Sequence, residues 1–150
     1  MSEQTIAEGI QGILQEISGI NDSSITLSDW AVQDGSFDNA PFIRIDVAEA
    51  FSARQDNMAT ETEWEIPVTI LINFEDWDTS HLELRNVRQS IIDKFNEQGT
   101  NRAAGLDQVD IVEIRSTTDI EPVLPEYQEF EDADPIFLAQ VLIFEVMEHG

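Results

Sequence analysis

Cysteine is absent from this chain of 150 residues, and Lys94 is its only lysine. Without cysteine there is no disulfide framework, no thiol nucleophile and no zinc-thiolate site, and folding inside a cell is compatible with that lack. Bases of either kind are scarce: seven face thirty-one acids, for a formal net charge of −24 at pH 7. Such a surface repels nucleic-acid phosphates and argues against a DNA-reading role. Histidine occurs only at His81 and His149, and no GxSxG elbow accompanies either, so a nucleophilic triad has no basis. Walker GxxxxGK[ST], GxGxxG and basic-aromatic patches are missing as well. No segment approaches the roughly 20 apolar residues of a bilayer-spanning helix. The opening MSEQTIAEGIQGILQEIS lacks the basic start and unbroken apolar stretch of a signal peptide. The expectation is a soluble, non-enzymatic protein with no cofactor, no catalytic or metal residues and no membrane partner.

What is present is an ordinary globular composition, 41% hydrophobic and 25% charged, in which high net charge does not by itself mean disorder. The length fits a single domain over 1–150 that buries roughly 70% of the surface of its unfolded form. Three causes for the acidity compete: a saline habitat, an acidic channel that keeps passing DNA from sticking, and steering of a basic partner.

Hydrophobic periodicity lays out the elements. Ile6, Ile10, Ile13, Leu14 and Ile17 fall at helical spacing and predict a helix from about Glu3 to Ser18, with Gly19 as its stop. A short apolar pair, Ile25 and Leu27, and a polar loop from Gln33 to Pro41 follow. PFIRIDVAEAF alternates as a strand through Ile43, Ile45 and Val47, and a longer strand carries Trp64, Ile66, Val68, Ile70, Ile72 and Phe74 on one face. Together they predict a hairpin whose polar tip, Ser52 to Thr60, is a solvated loop or a contact arm. Pro67 suggests an edge or bulge. A second helix over about Thr79 to Gln98 has Leu84, Val87, Ile91 and Phe95 as its stripe, widened by Leu82 and Ile92, with Gly99 as its stop. VDIVEIR then alternates Val112 and Ile114 against Glu113 and Arg115. The final PIFLAQVLIFEVM is apolar on both faces, Ile136, Leu138, Leu142, Phe144 and Val146 against Phe137, Val141 and Ile143, as a central strand requires. The fold class is α+β: a mainly antiparallel sheet with a long hairpin and two helices packed on one face.

One stretch invites a chemical reading. INFEDWDTSH gathers Glu75, Asp76, Asp78 and His81, donors that a hard cation would accept. Their spacing matches no EF-hand loop, and every residue has a structural use. Asp78 or Thr79 caps the second helix, Asp76 and Glu83 favour its positive N-terminus, and Trp77 anchors the turn against the core. Interaction surfaces are better candidates. The acidic segment Glu121 to Asp134 interleaves Leu124, Tyr127 and Phe130 with six acids, which suits aromatic anchors inside a polar rim, or else a loop folded over its own core. The second face of the last strand adds Phe137, Val141 and Ile143.

In order, an amphipathic helix, the hairpin PFIRIDVAEAF with EWEIPVTILINF, the acid-capped helix DTSHLELRNVRQSIIDKF and a closing pair ending PIFLAQVLIFEV resemble the tail-terminator, or tail-completion, proteins of long-tailed bacteriophages and related archaeal viruses. The resemblance covers nearly the whole chain and lies in element order, size and hydrophobic pattern. It implies a structural virion protein of the tail or neck, assembled in the host cytoplasm. Such proteins form a homo-hexameric ring on the last ring of tail tube protein, end tube polymerisation and present the surface that joins the head connector or neck protein. DNA would pass through the lumen without specific binding. The family has no catalytic residues to carry over, and its ring closes by a heterologous contact repeated by rotation. A neck or head-completion adaptor is the close variant; an acidic DNA-mimic decoy that binds a basic partner is the alternative of another class.

Overall fold

The computed structural model describes residues 3–20, 24–27, 41–46, 51–55, 61–97, 109–116, 119–123 and 137–149. The helix α1, Glu3–Leu14, buries Ile6, Ala7, Ile10, Ile13 and Leu14 along one stripe. It stops earlier than periodicity suggests, because Glu16 and Ile17 donate to Ile13 and Leu14 in tighter three-residue turns. Gly19 follows at φ +91°, a left-handed conformation that glycine adopts without strain. The side-chain amide of Gln11 donates to the Ile25 carbonyl at 2.9 Å and ties α1 to the strand β1, Ile25–Leu27.

Among the described residues seven strands form one sheet. Beside β1 lie β2, Phe42–Ile45, β3, Phe51–Gln55, and the long β4, Glu61–Asn73; β5, Val109–Ser116, β6, Glu121–Val123, and the long β7, Phe137–His149, complete it. The path runs β1-β2-β4-β7-β5, with β3 also on β4 and β6 also on β7. Among the described residues only the β1–β2 pair is parallel and every other pairing is antiparallel. The central β4–β7 ladder is continuous from Glu61–His149 to Asn73–Phe137. The helix α2, Trp77–Glu97, packs with α1 on one face of this ladder.

Even-numbered residues of β4 from 64 to 72 and of β7 from 138 to 146 point to the helices. Ile66, Val68, Ile70 and Ile72 of β4 meet Leu138, Leu142 and Phe144 of β7 beneath Leu84, Ile91 and Phe95 of α2. Phe95 and Phe144 meet edge to face at 5.0 Å, a geometry that adds about 1 kcal/mol beyond area burial. The α+β class, the hairpin and the placement of both helices on one face agree with the sequence.

Three local readings need correction. Residues 52–55 continue a strand rather than starting a loop: Phe51 to Gln55 pair with Glu65 to Thr62, and the polar Ser52-Ala53-Arg54-Gln55 leaves no apolar alternation to read. Pro67, expected at an edge or bulge, lies beside a break in the pairing on one side of β4. Its carbonyl accepts the Asp46 N–H at 2.8 Å, so its nitrogen faces the place where the neighbour of β4 changes from β2, ending at Ile45–Val68, to β3, beginning at Phe51–Glu65. There the missing donor costs little. Leu82 does not widen the buried stripe of α2; it is 59% exposed. In β5 a register shift between Ile111 and Glu113 makes Val112 an extra residue, 62% exposed. The core-facing residues are therefore Val109, Ile111 and Ile114 rather than Val112 and Ile114. The hairpin tip at 56–60 and Gly99 fall outside the described residues.

Candidate functional site on the face away from the helices

Odd-numbered residues of β4 and β7 occupy the other face. Along the ladder the facing pairs run Leu71–Ala139, Thr69–Val141, Pro67–Ile143, Glu65–Glu145 and Glu63–Met147. The face is therefore apolar at one end and acidic at the other.

At the apolar end Phe42, Leu71 and Phe137 form a second core cluster with Ala139 against it. The Phe42 and Phe137 rings meet edge to face at 6.4 Å. Phe137 is only 7% exposed, so its apolar surface is already used within the chain. Val141 and Ile143, half-buried, continue the strip toward the acidic end. The other three expected contact residues, Leu124, Tyr127 and Phe130, lie outside the described residues.

At the acidic end Glu65 of β4, Glu145 of β7 and Glu113 of β5 stand in one row across three strands. Like charges directly opposite each other on a sheet repel. Arg115 relieves the row: it sits across from Ile143, hence diagonal to Glu145, and its Nε donates to Glu145 Oε1 at 2.9 Å while a terminal nitrogen reaches Glu65 Oε1 at 3.5 Å. The Glu145 hydrogen bond, with the charges of Glu145, Glu65 and Glu113, holds the guanidinium pKa above its ordinary value. One base thus ties three strands. A cavity of about 140 Å³ lies beside it, lined by Glu63, Glu65, Glu145, Val112 and Met147 among others. Sequence reading missed this row because its members are far apart in the chain. The available signal was the alternation of Glu63 with Glu65 and of Glu113 with Arg115.

The elbow INFEDWDTSH resolves into a helix start. Asp76, not Asp78 or Thr79, is the cap: its Oδ1 accepts the Thr79 N–H at 2.8 Å, and its carbonyl accepts the Ser80 N–H. Hydrogen bonds to the Asp76 carboxylate from Thr79, first its backbone and then its side chain, lower the Asp76 pKa. Buried Ser80 answers from the first turn, its hydroxyl accepting the Glu75 N–H at 2.8 Å. Trp77 does not reach the core. It is 51% exposed and packs on Phe74 at 5.0 Å and beside His81 at 6.1 Å. Glu83 is half-buried, and desolvation followed by repulsion from Glu75 raises its pKa, so its charge is opposed rather than favoured by its surroundings.

Among the described residues no three His, Cys, Asp or Glu side chains are grouped so as to hold a metal ion, and no helix is long and apolar enough to cross a membrane. No family model and no curated protein matches this chain.

Proposed function

We propose that this chain is a structural assembly protein of the tail-terminator kind, a ring that caps a tail tube, ends its polymerisation and offers the joining surface to a head connector. The observation that carries the reading is the face away from the helices. Its accessible strip, Val141 and Ile143, runs between an apolar cluster and a charged rim made by Glu65, Glu145, Glu113 and Arg115. An apolar strip bordered on one side by charged residues suits a protein–protein contact, and copies arranged by rotation would repeat that contact around a ring. The element order points the same way: a long hairpin, a capped helix and a closing long strand in one sheet.

Light scattering in high salt tests the ring, where the −24 charge is screened. The expected mass is that of about six copies, and Ile143→Glu should return the protein to monomers while its secondary structure stays intact. A chain that remains monomeric at every salt concentration, and never joins purified tail tubes, overturns the proposal. Imaging of labelled particles separates a terminator, seated on the tube, from a neck adaptor, seated against the head.

A further inference from the structure

In a chain with so few bases, two of the seven share one cavity. Arg85 and Arg88 follow His81 at spacings of four and three on α2, so the three lie on one stripe of the helix. Across from them stand Asp119, Ile120 and Gln140, and the space between measures about 580 Å³. The other described cavities have glutamate and no arginine in their linings.

Gln140 is the unusual member. It interrupts the helix-facing row of β7 between Leu138 and Leu142, opposite Ile70, and is only 4% exposed. An amide in an apolar row costs stability unless it is hydrogen-bonded. Here its Oε1 accepts from an Arg88 terminal nitrogen at 3.0 Å. The bond fixes one guanidinium at the floor of the cavity. Arg85, exposed on the next turn, forms no ion pair with any described residue. Among the described residues of the lining, two guanidiniums against the single carboxylate of Asp119 leave one net positive charge inside an otherwise acidic molecule.

We propose that this cavity is a binding site for a monoanionic carboxylate. The planar guanidinium fork matches carboxylate geometry in a bidentate pair, and a single negative charge neutralises the lining. A phosphate dianion would over-neutralise it within a strongly negative protein. The carboxylate has two possible sources, a free small acid or the side chain of an acidic residue on another protein, and both present the same group to Arg85 and Arg88.

Titration of ¹⁵N-labelled protein with sodium acetate at constant ionic strength tests the site, read at the arginine Nε–Hε and Gln140 side-chain amide resonances. Saturable shifts confined to Arg85, Arg88 and Gln140 are expected. Arg85→Gln, an exposed change that spares the fold, should weaken acetate binding at least fivefold, and Asp119→Asn should tighten it. N-acetyl-glutamic acid amide, which carries one side-chain carboxylate, serves as the second probe. Binding tighter than acetate supports the site and names a protein side chain as the source; equal binding supports it with a free acid as the source. Linear shifts equal to those with chloride overturn the proposal. So do affinities indifferent to both variants, and so does inorganic phosphate that binds tenfold tighter than acetate.

Discussion

Asp76 shows how one carboxylate can be essential locally without any chemistry. Its Oδ1 takes the Thr79 N–H, one of the donors that a helix start leaves without an intrahelical partner. Asp78, two residues on, lies in the first turn of α2, where it complements the dipole without closing a cap. Asp76→Ala is expected to lower the melting temperature by several degrees at neutral pH, and Asp78→Ala by distinctly less. Because the folded-state pKa of Asp76 is lowered, its contribution is complete above the unfolded carboxylate range and disappears as pH falls through the lowered value. Thermal melts of the two variants from pH 7 to pH 2 check this; a loss from Asp76→Ala that persists undiminished in strong acid would sink the capping assignment. The cluster of acids around it was visible in the sequence. Which acid caps was not, because Asp76, Asp78 and Thr79 are all competent, and the choice depends on where the strand before them ends.

Among the elements, β5 carries the clearest lesson. Residues 109, 111 and 114 face the helices, a spacing of two and then three, because Val112 is the extra residue of a bulge. Simple alternation places Val112 inside, and the sheet places it in solvent. Deleting Val112 restores an unbroken alternation through Ile111, Glu113, Ile114 and Arg115. The shortened protein should stay folded with a stability change of no more than about 1 kcal/mol, since only an exposed side chain and a local kink are lost. Hydrogen exchange at residues 113–116 reads the result: protection like that of the parent is expected, and loss of protection along β5 would show that the bulge itself holds the register. The longer elements were legible for a simple reason. Each of α1, α2, β4 and β7 buries a full stripe or face, and burial writes itself into sequence as a period. Strand β3 shows no such period in its sequence, and Ser52-Ala53-Arg54-Gln55 reads as loop until β4 supplies its partner.

At the scale of the molecule, charge is the dominant unresolved stress. A net −24 repels itself in the compact state more than in the expanded chain. Sodium chloride should therefore raise the melting temperature, most steeply up to roughly 0.1 M, where the screening length is about 10 Å. Arg115 relieves the same stress locally by bridging Glu145 and Glu65. Arg115→Gln should lower the melting temperature most at low salt, with the deficit shrinking as salt is added. Calorimetry across a salt series tests both statements; a melting temperature indifferent to salt in the parent, or a deficit in the variant that does not shrink, would count against them.

Composition, periodicity and capping chemistry determined the α+β class, the two helices, the long hairpin and the central position of the last strand, because each is a local pattern imposed by burial on one side. Tertiary structure alone decided which side chains from distant segments become neighbours. It set Glu65, Glu145 and Glu113 in a row under Arg115, broke the neighbour ladder at Pro67, and brought Arg85 and Arg88 of α2 against Gln140 of β7. Those juxtapositions rest on strand register, which a sequence constrains only as far as inside and outside, since a slip of two residues keeps every side chain on its own face and changes every partner.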